Sequence, residues 1–374
     1  MIDPAIRSEL TNRIAERIAE DRRLLDQLRD EIRPYRSHVR RIQPRTVTSI
    51  AFVGTDGGNN QLRFDPFLVQ LIRVVDSSNN SYALDVITPE SDTDALSQRH
   101  WKDKNSELGQ LMRFLNKEKL WQLTPMIPAP NARERSPSWV QVYRELTEWA
   151  TLFHLICNRV YGTDTLIVFD GLLRSKIFSG ALFKTLLDGI AHEIEKHAQQ
   201  RRRIWLVGVA KHSKVLDRYE LAMALEGMLK VKYPAYLEID RKLEARAYVW
   251  PEYARGGEGE EGGEVNKFVG GKMFLVKFGS STGDPIWPVD IYEPQVKEAP
   301  TVLGALLADA TDGFPVPYYP RCLQKAHENA ALVDFDYDVL QDEVYKGIRK
   351  ALGKESHTLD TFLLRTADVA ARRY

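Results

Sequence analysis

Cysteine is nearly absent from this sequence, with only Cys157 and Cys322 among 374 residues. Two cysteines so far apart exclude a disulfide-built scaffold and a cysteine-rich zinc site, and they suit a reducing compartment. The chain also lacks a run of about 18 apolar residues, and its charged N-terminus lacks the apolar core of a signal peptide. We therefore expect a cytoplasmic protein that does not enter a membrane.

Net charge is absent as well. Lys plus Arg and Asp plus Glu number 52 each, so bulk charge provides no general attraction to nucleic acid. A nucleic-acid groove would have to be local or shared with a partner. The 43% apolar content is enough for a real core, in one large domain with insertions or in two smaller ones.

Two aspartates stand at the ends of apolar runs, and each precedes a glycine. Asp56 follows the run 50–54 closely, and Asp170 directly follows 165–169. These runs predict buried strands, and the glycines allow the backbone to turn sharply after the charge. A lone carboxylate beside buried strands is costly unless it is paired or bound to a cation, so the pair predicts a shared divalent metal. The alternative is that each aspartate merely caps a turn.

An amphipathic helix is predicted over residues 4–33. Asp3 is a suitable N-cap, Pro4 suits the first turn, and Pro34 ends the pattern. The apolar stripe is narrow, with Ile6, Leu10, Ile14, Ile18, Leu25, Leu28 and Ile32 on it. We expect residues 1–45 to form a helical arm that packs on another helix, either within the chain or across a dimer.

The order of the elements that follow predicts the fold class. Strands are expected at 48–54, 67–75, 81–88, 165–169 and 204–209, with helices at 138–160 and 178–198. The polar, proline-punctuated stretch 89–137 is interpreted as an insertion or lid. This order is typical of the ribonuclease H-like fold, an α/β architecture with a mixed sheet flanked by helices, in which acidic residues lie on central strands.

Further strands are predicted near 246–250, at 273–278 and at 286–292, where Pro288 favours an edge or a bulge. The glycine and glutamate run at 255–266 is interpreted as a flexible loop. These elements place the main domain at 46–340 and leave 341–374 as a C-terminal helical segment.

A third motif is the proline-rich stretch 313–320, which is followed by a predicted helix from about Arg321. Three prolines within it favour a rigid turn, and the helix carries His327. A histidine in such a helix is ordinarily a satisfied core or surface residue. Its position after this turn makes it a candidate for the site.

Together these features resemble the NurA nuclease family, whose members partner the HerA-type hexameric DNA translocase. The resemblance covers about 48–335. It is carried by Asp56-Gly57, Asp170-Gly171-Leu172-Leu173, the strand end Gly208-Val209-Ala210-Lys211, and the late block from Tyr318 to Ala326-His327. It implies a metal-dependent DNA nuclease that hydrolyses phosphodiester bonds as an exonuclease, a single-strand endonuclease or both.

The chemistry implied is hydrolysis assisted by two divalent ions, and carboxylate ligands suit Mn²⁺ or Mg²⁺. Asp56 and Asp170 are the expected ligands. The third carboxylate is expected from the helix before the second Asp-Gly strand, where Glu145 and Glu148 share a face. Glu148 is preferred because it is nearer the strand, and Glu145 remains open. His327 is expected to bind the second metal or to stabilise the leaving group.

Two further residues complete the expected catalytic set. Tyr318 is expected to position a phosphate or the water, and Lys211 to neutralise the scissile phosphate. Lys211 has the alternative of being an ordinary strand-end charge, and His212 or Lys214 offers the same electrostatic effect.

The resemblance also implies partners: DNA, a HerA-type ATPase and a second copy of the chain, acting in DNA end processing or anti-phage defence. Two other classes stay open at this point. One is a different ribonuclease H-like nuclease or integrase-like enzyme, which would not need Tyr318 or His327. The other is a non-catalytic adaptor that docks on a translocase.

Overall fold

The structure, a computed structural model, describes residues 4–45, 48–54, 61–64, 67–130, 132, 136–248, 268–331 and 334–356. Within these residues, none of the helices combines the length and the apolar character needed to cross a membrane. The central feature is one mixed sheet, to which ten strands of the described residues contribute. The strands are β1 (Arg40–Arg41), β2 (Thr48–Gly54), β3 (Gln61–Phe64), β4 (Phe67–Asp76), β5 (Ser81–Ile87), β6 (Thr165–Asp170), β7 (Ile204–Val209), β8 (Ala235–Glu238), β9 (Gly271–Lys277) and β10 (Trp287–Tyr292).

Five of these strands confirm the predicted ribonuclease H-like order. β2 pairs antiparallel with β4, which pairs antiparallel with β5, so the first strands form a meander. On its other side β2 pairs in parallel with β6, and β6 pairs in parallel with β7. The spatial order β5, β4, β2, β6, β7 places β2 and β6 side by side at the centre. Parallel pairing brings their carboxyl ends to the same edge of the sheet.

The sheet continues beyond β7 through β10, β9, β8 and β1, in that order. Of the two roles predicted for Pro288, an edge strand or a bulge, the edge strand is wrong, because β10 pairs with both β7 and β9. The proline is tolerated because the β7 pairing stops at Val289. At Pro288 itself the bond toward β7 uses the carbonyl, which accepts from the amide of Ala210 at 3.0 Å, so the missing amide hydrogen of the proline is not needed.

Helices cover both faces of this sheet. They are α1 (Pro4–Ile32), α2 (Thr93–Lys102), α3 (Glu107–Phe114), α4 (Leu120–Leu123), α5 (Trp139–Cys157), α6 (Leu182–Gln199), α7 (Lys214–Leu225), α8 (Arg241–Ala247), α9 (Ala299–Thr311), α10 (Arg321–Ala330) and α11 (Asp334–Leu352). On β6, Ile167 and Phe169 face the core beneath α5 and α6. Leu166 and Val168 face the opposite core, beneath α9 and α10. This alternation is the period of two expected of a strand buried on both faces.

The stretch predicted as an insertion, 89–137, contains α2, α3 and α4. Their apolar side chains belong to the same core as α5, as Leu111, Met112 and Leu120 show. The prediction of a strand near 246–250 is wrong for residues 246 and 247, because these end the helix α8 at 241–247. Asp240 caps that helix by accepting a hydrogen bond from the Leu243 amide at 2.9 Å.

The arm helix α1 is divided between a docked half and an exposed half. Near its C-terminus, Arg29 and the following Arg33 both pair with Glu226 beside α7, at 2.7 and 3.0 Å. Glu31 accepts a hydrogen bond from the Tyr219 hydroxyl at 2.7 Å. Further toward the N-terminus the apolar stripe is exposed: Ile6, Leu10, Ile14 and Ile18 all lie in contact with solvent. The intrachain docking therefore uses only the C-terminal part of the helix.

Two predicted segments, the loop at 255–266 and the C-terminal segment from 341, are only partly covered by the described residues or lie outside them. The flexible loop at 255–266 lies outside the described residues, as does 357–374. The predicted C-terminal segment from 341 begins inside α11, which starts at Asp334.

Candidate metal centre

Asp170 ends β6, and the strand alternation sets its direction. It continues the row of Leu166 and Val168, so its side chain projects toward α10. The turn that follows is held against β7: the Gly171 amide donates to the Val209 carbonyl at 2.9 Å. Any side chain at Gly208 would collide with the Gly171 carbonyl, since a Cβ there would lie 2.3 Å from it. Asp170 thus stands on a closely packed strand end and remains 28% exposed.

Helix α10 brings His327 to this strand end. Its N-terminus is fixed by Asp309, which accepts a hydrogen bond from the Cys322 amide at 3.0 Å. Near its C-terminus the Asn329 amide group donates to the Asp76 carbonyl at the end of β4, at 3.1 Å. The helix is therefore attached at both ends, and the sheet sets the position of His327.

His327 and Asp170 face each other across the site. The distance from His327 Nε2 to Asp170 Oδ2 is 3.4 Å, and the histidine side chain is 34% exposed. The Nε2 atom itself is buried, and no hydrogen-bond partner for it lies within the described residues. The nitrogen is within ion-pair distance of the carboxylate but does not meet hydrogen-bond geometry, which is unusual because buried polar atoms are nearly always hydrogen-bonded.

Tyr319 supports the same carboxylate from the other side. Its hydroxyl donates to Asp170 Oδ1 at 3.4 Å, and its ring is buried with an edge contact to Trp287 at 4.8 Å between centroids. Burial and the nearby Asp170 charge raise the pKa of Tyr319 well above its usual value. The hydroxyl therefore stays protonated and remains a donor to Asp170.

The turn that carries Tyr319 is held by one buried amide. Gln324 Nε2 donates to the carbonyls of Val316 and Tyr319 at 2.9 and 2.8 Å. Its Oε1 accepts from the Val316 amide at 2.8 Å. Gly313 lies directly against the turn, since a Cβ there would be 2.4 Å from the Tyr319 carbonyl. The rigidity predicted from three prolines thus also depends on Gln324 and Gly313.

The two candidate glutamates occupy different environments on α5. Glu145 accepts a hydrogen bond from Ser175 at 2.5 Å, and burial raises the pKa of Glu145. Glu148 lies 3.3 Å from the Arg144 guanidinium in an ion pair within the helix. Ser175 belongs to the segment just after Asp170, so Glu145 bonds to the chain that leaves the strand end. Which glutamate approaches Asp170 stays a prediction.

Lys211 lies just beyond β7, and its Nζ is 5.7 Å from the centre of the Tyr319 ring. It thus stands beside the residue that contacts Asp170. Tyr318 packs against the core beneath α9 and α10, in a left-handed conformation with φ of 58°. The tyrosine that contacts Asp170 is its neighbour, Tyr319. His212 and Lys214 follow Lys211 closely, and Lys214 begins α7.

Asp56 lies outside the described residues, two positions after the last residue of β2. Among the residues that the structure does describe, no three His, Cys, Asp or Glu side chains converge as a metal site. The described part of the site is Asp170 and His327, with Tyr319 and Lys211 around them. A carboxylate oxygen and a buried imidazole nitrogen without a partner are a donor set that fits a divalent cation.

Sequence reasoning missed Tyr319 and Gln324. The signal available for Tyr319 was its place beside Tyr318 in the proline-rich block. Gln324 follows that block by one helical turn, where a long amide side chain is able to reach back to the preceding carbonyls.

The fold is a ribonuclease H-like mixed sheet, with a carboxylate at a central strand end and a histidine 3.4 Å from it. No protein-family model matches the chain, and no curated protein matches it. Among solved structures the chain is similar to one described as "Crystal structure of NurA", with a TM-score of 0.39 and 11% identity over 90% of this chain and 97% of that one. It is also similar to "Crystal structure of NurA bound to dAMP and manganese", with a TM-score of 0.37 and 12% identity over 87% and 94%.

Proposed function

We propose that this chain is a metal-dependent DNA nuclease that hydrolyses phosphodiester bonds. The observation that carries the proposal is the buried Nε2 of His327, which lies at ion-pair distance from Asp170, 3.4 Å, and makes no hydrogen bond. A structural histidine in that position would be satisfied by a neighbour. A nitrogen left open beside a carboxylate is suited to a cation instead.

The proposed ligands are Asp170 and His327, joined by Asp56 and by Glu148 or Glu145. Mn²⁺ or Mg²⁺ bound there would supply Lewis-acid stabilisation of the charge that develops on the phosphate. In the hydrolysis itself, the water oxygen forms a bond to phosphorus while the bond from phosphorus to the leaving sugar oxygen breaks. The water loses a proton, and the leaving oxygen takes one up.

Other residues of the chain orient the Asp170 carboxylate and neutralise charge on the phosphate. Tyr319 donates to Asp170 and so fixes the direction of that carboxylate. Lys211, beside the Tyr319 ring, offers a positive charge to a non-bridging phosphate oxygen. His327, if it is not a ligand, is proposed to stabilise the leaving group. Tyr318 is retained as a proposed contact to a phosphate or the water.

The proposed assembly is a homodimer that works with a HerA-type hexameric ATPase in DNA end processing or anti-phage defence. The exposed apolar stripe of α1, which advances in four-residue steps from Ile6 to Ile18, supports a helix partner. The zero net charge supports a motor that delivers DNA, because the chain alone has little bulk attraction for it. Sedimentation at micromolar concentration tests the dimer, and a strict monomer that also fails to bind the ATPase contradicts this assembly.

A cleavage assay tests the nuclease directly. Linear duplex and single-stranded DNA are incubated with the full chain and Mn²⁺, with and without the ATPase, and then with EDTA. We expect cleavage that requires the metal and stops on chelation. Cleavage that continues undiminished in EDTA contradicts a metal-dependent site, and no cleavage under any condition favours the adaptor.

A further inference from the structure

The turn between α9 and α10 carries the most exposed large apolar side chain of the described residues. Phe314 presents 84% of its surface to solvent. A single exposed apolar residue is ordinary on a protein surface. A binding role for this ring therefore depends on its location, its support and its surroundings.

Phe314 belongs to the turn that also carries Tyr319. The preceding residue, Gly313, touches the backbone of Tyr319, because a Cβ on it would lie 2.4 Å from the Tyr319 carbonyl. Phe314 is one Cα step of about 3.8 Å further along the chain. The Tyr319 hydroxyl contacts Asp170. The exposed ring and the candidate metal centre are thus attached to the same short turn.

The turn presents the ring on a fixed backbone. Gln324 is buried, and it bonds both the amide and the carbonyl of Val316, two residues after Phe314. The same amide group bonds the Tyr319 carbonyl. A backbone fixed in advance lowers the entropy cost of binding through a side chain that it carries.

Exposed cations accompany this turn, and Arg321 Nη1 also lies 4.0 Å from the carboxylate of Asp312, two residues before Phe314. Arg321 and Lys325 lie on the solvent side of α10, and Lys211 lies beside the Tyr319 ring. An exposed aromatic ring accompanied by cations is the combination by which proteins bind single-stranded nucleic acid, with bases stacked on the ring and phosphates near the charges.

We propose that Phe314 stacks on a nucleobase next to the scissile phosphate, which favours single-stranded or frayed DNA over paired duplex. The inference rests on the proposed nuclease function for the identity of the ligand. Bases in an intact duplex already stack on their neighbours. A ring that offers a stacking surface therefore gains more from an unpaired base.

The test measures binding apart from cleavage. A single-stranded oligonucleotide containing 2-aminopurine is titrated in EDTA with the full chain, with Phe314→Ala, with Phe314→Trp and with Leu84→Ala. Leu84 is a matched control because it is an exposed apolar residue on β5. We expect Phe314→Ala to weaken binding about 10-fold and to lose the fluorescence quenching, while Phe314→Trp and Leu84→Ala retain both.

A second arm measures cleavage in Mn²⁺ of the same oligonucleotide and of one with an abasic residue at the stacked position. The Phe314→Ala defect should appear on the first and vanish on the second. Binding and quenching by Phe314→Ala equal to the parent chain overturn the inference, as does a parent chain that binds no oligonucleotide. Stacking without cleavage instead leaves the inference standing and counts against the nuclease. Melting curves identify a misfolded Phe314→Ala, in which case Phe314→Leu takes its place.

Discussion

Two clusters in this molecule are built from the same three residue types, histidine, tyrosine and aspartate, in opposite ways. In the first, the Tyr143 hydroxyl lies between His100 Nε2 and Asp85 Oδ2, at 2.6 Å from each. The other ring nitrogen of His100 bonds Ser106 at 2.7 Å. In the second, Tyr319 and His327 both face Asp170, at 3.4 Å each. We call the first cluster closed, because short hydrogen bonds link its side chains, and the second open, because its contacts with Asp170 are longer and His327 Nε2 makes no hydrogen bond.

The difference lies in where the aspartate charge is neutralised. Asp85 is paired with Arg99 at 2.6 Å, so its cluster contains its own cation. Asp170 forms no ion pair with a lysine or arginine of the described residues, and the nitrogen opposite it lacks a hydrogen bond. The same types of side chain therefore hold α2, α3 and α5 together at one place, whereas at the other they form the proposed cation site.

The largest effect is expected from Asp170→Asn. Losing the charged oxygen removes a proposed ligand, and we expect cleavage of DNA in Mn²⁺ to fall by about 10³-fold. Asp164→Asn is the matched control at the opposite end of the same strand, where Asp164 accepts a hydrogen bond from the Arg203 amide at 2.8 Å. It should cleave normally. Equal activity of Asp170→Asn and the parent chain would remove Asp170 from the site.

His327→Gln should lower the cleavage rate by about 10²-fold, the usual scale for a positioned catalytic group. Its melting temperature should change little, because the ring nitrogen makes no hydrogen bond that the substitution removes. Rates and melting curves are measured on the same sample. A destabilised variant that cleaves normally would show that His327 is a packing residue like His100.

The closed cluster should make stability depend on pH. Burial lowers the pKa of His100 to about 4, with the Arg99 charge acting in the same direction. The unfolded chain therefore binds a proton near the ordinary pKa of about 6.5 before the folded chain does, so stability falls as pH drops from 6.5 toward 4. We expect a loss of roughly 2 kcal/mol between pH 7 and pH 4.5 in urea unfolding.

His100→Gln is the control for this pH dependence. It should be less stable than the parent chain at pH 7 and should lack this part of the pH dependence, while His327→Gln should retain it. An unchanged slope in His100→Gln would assign the acid sensitivity to other groups.

The smallest effect is expected from Tyr319→Phe. The hydroxyl orients Asp170 rather than binding a ligand itself, so its loss should raise the Mn²⁺ concentration for half-maximal cleavage by about 10-fold. Tyr318→Phe is compared in the same titration. A larger effect from Tyr318 than from Tyr319 would reverse the assignment of the orienting tyrosine.

The order of strands and helices was predictable because each element carries its own period. Alternating or continuous apolar runs predicted β2, β4, β5, β6 and β7, and these form the ribonuclease H-like sheet. The segment at 241–247 was harder to assign. Leu243 is buried in a short helix whose start depends on the Asp240 cap, and seven residues give little room for a helical period to show.

The proximity of Asp170 and His327 was predictable from the strand order and the proline-rich block, and their role as ligands stays a prediction. The contact of Tyr319 with Asp170 was not predicted, since only Tyr318 was named. Tyr318 adopts a left-handed conformation that redirects the chain, and a left-handed residue other than glycine has a weak sequence signal. The hydrogen bonds of Gln324 to Val316 and Tyr319 belong to the folded turn and have no counterpart in the linear pattern.

The contact between Tyr319 and Asp170 joins residues 149 positions apart. During synthesis at about 5–20 residues per second, the strand end with Asp170 leaves the ribosome on the order of ten seconds before the turn and helix that complete the site. A partly made chain thus has the carboxylate but neither its tyrosine nor its histidine. The proposed activity would arise only after nearly the whole protein has emerged, so unfinished chains would pose little danger to the DNA of the cell that makes them.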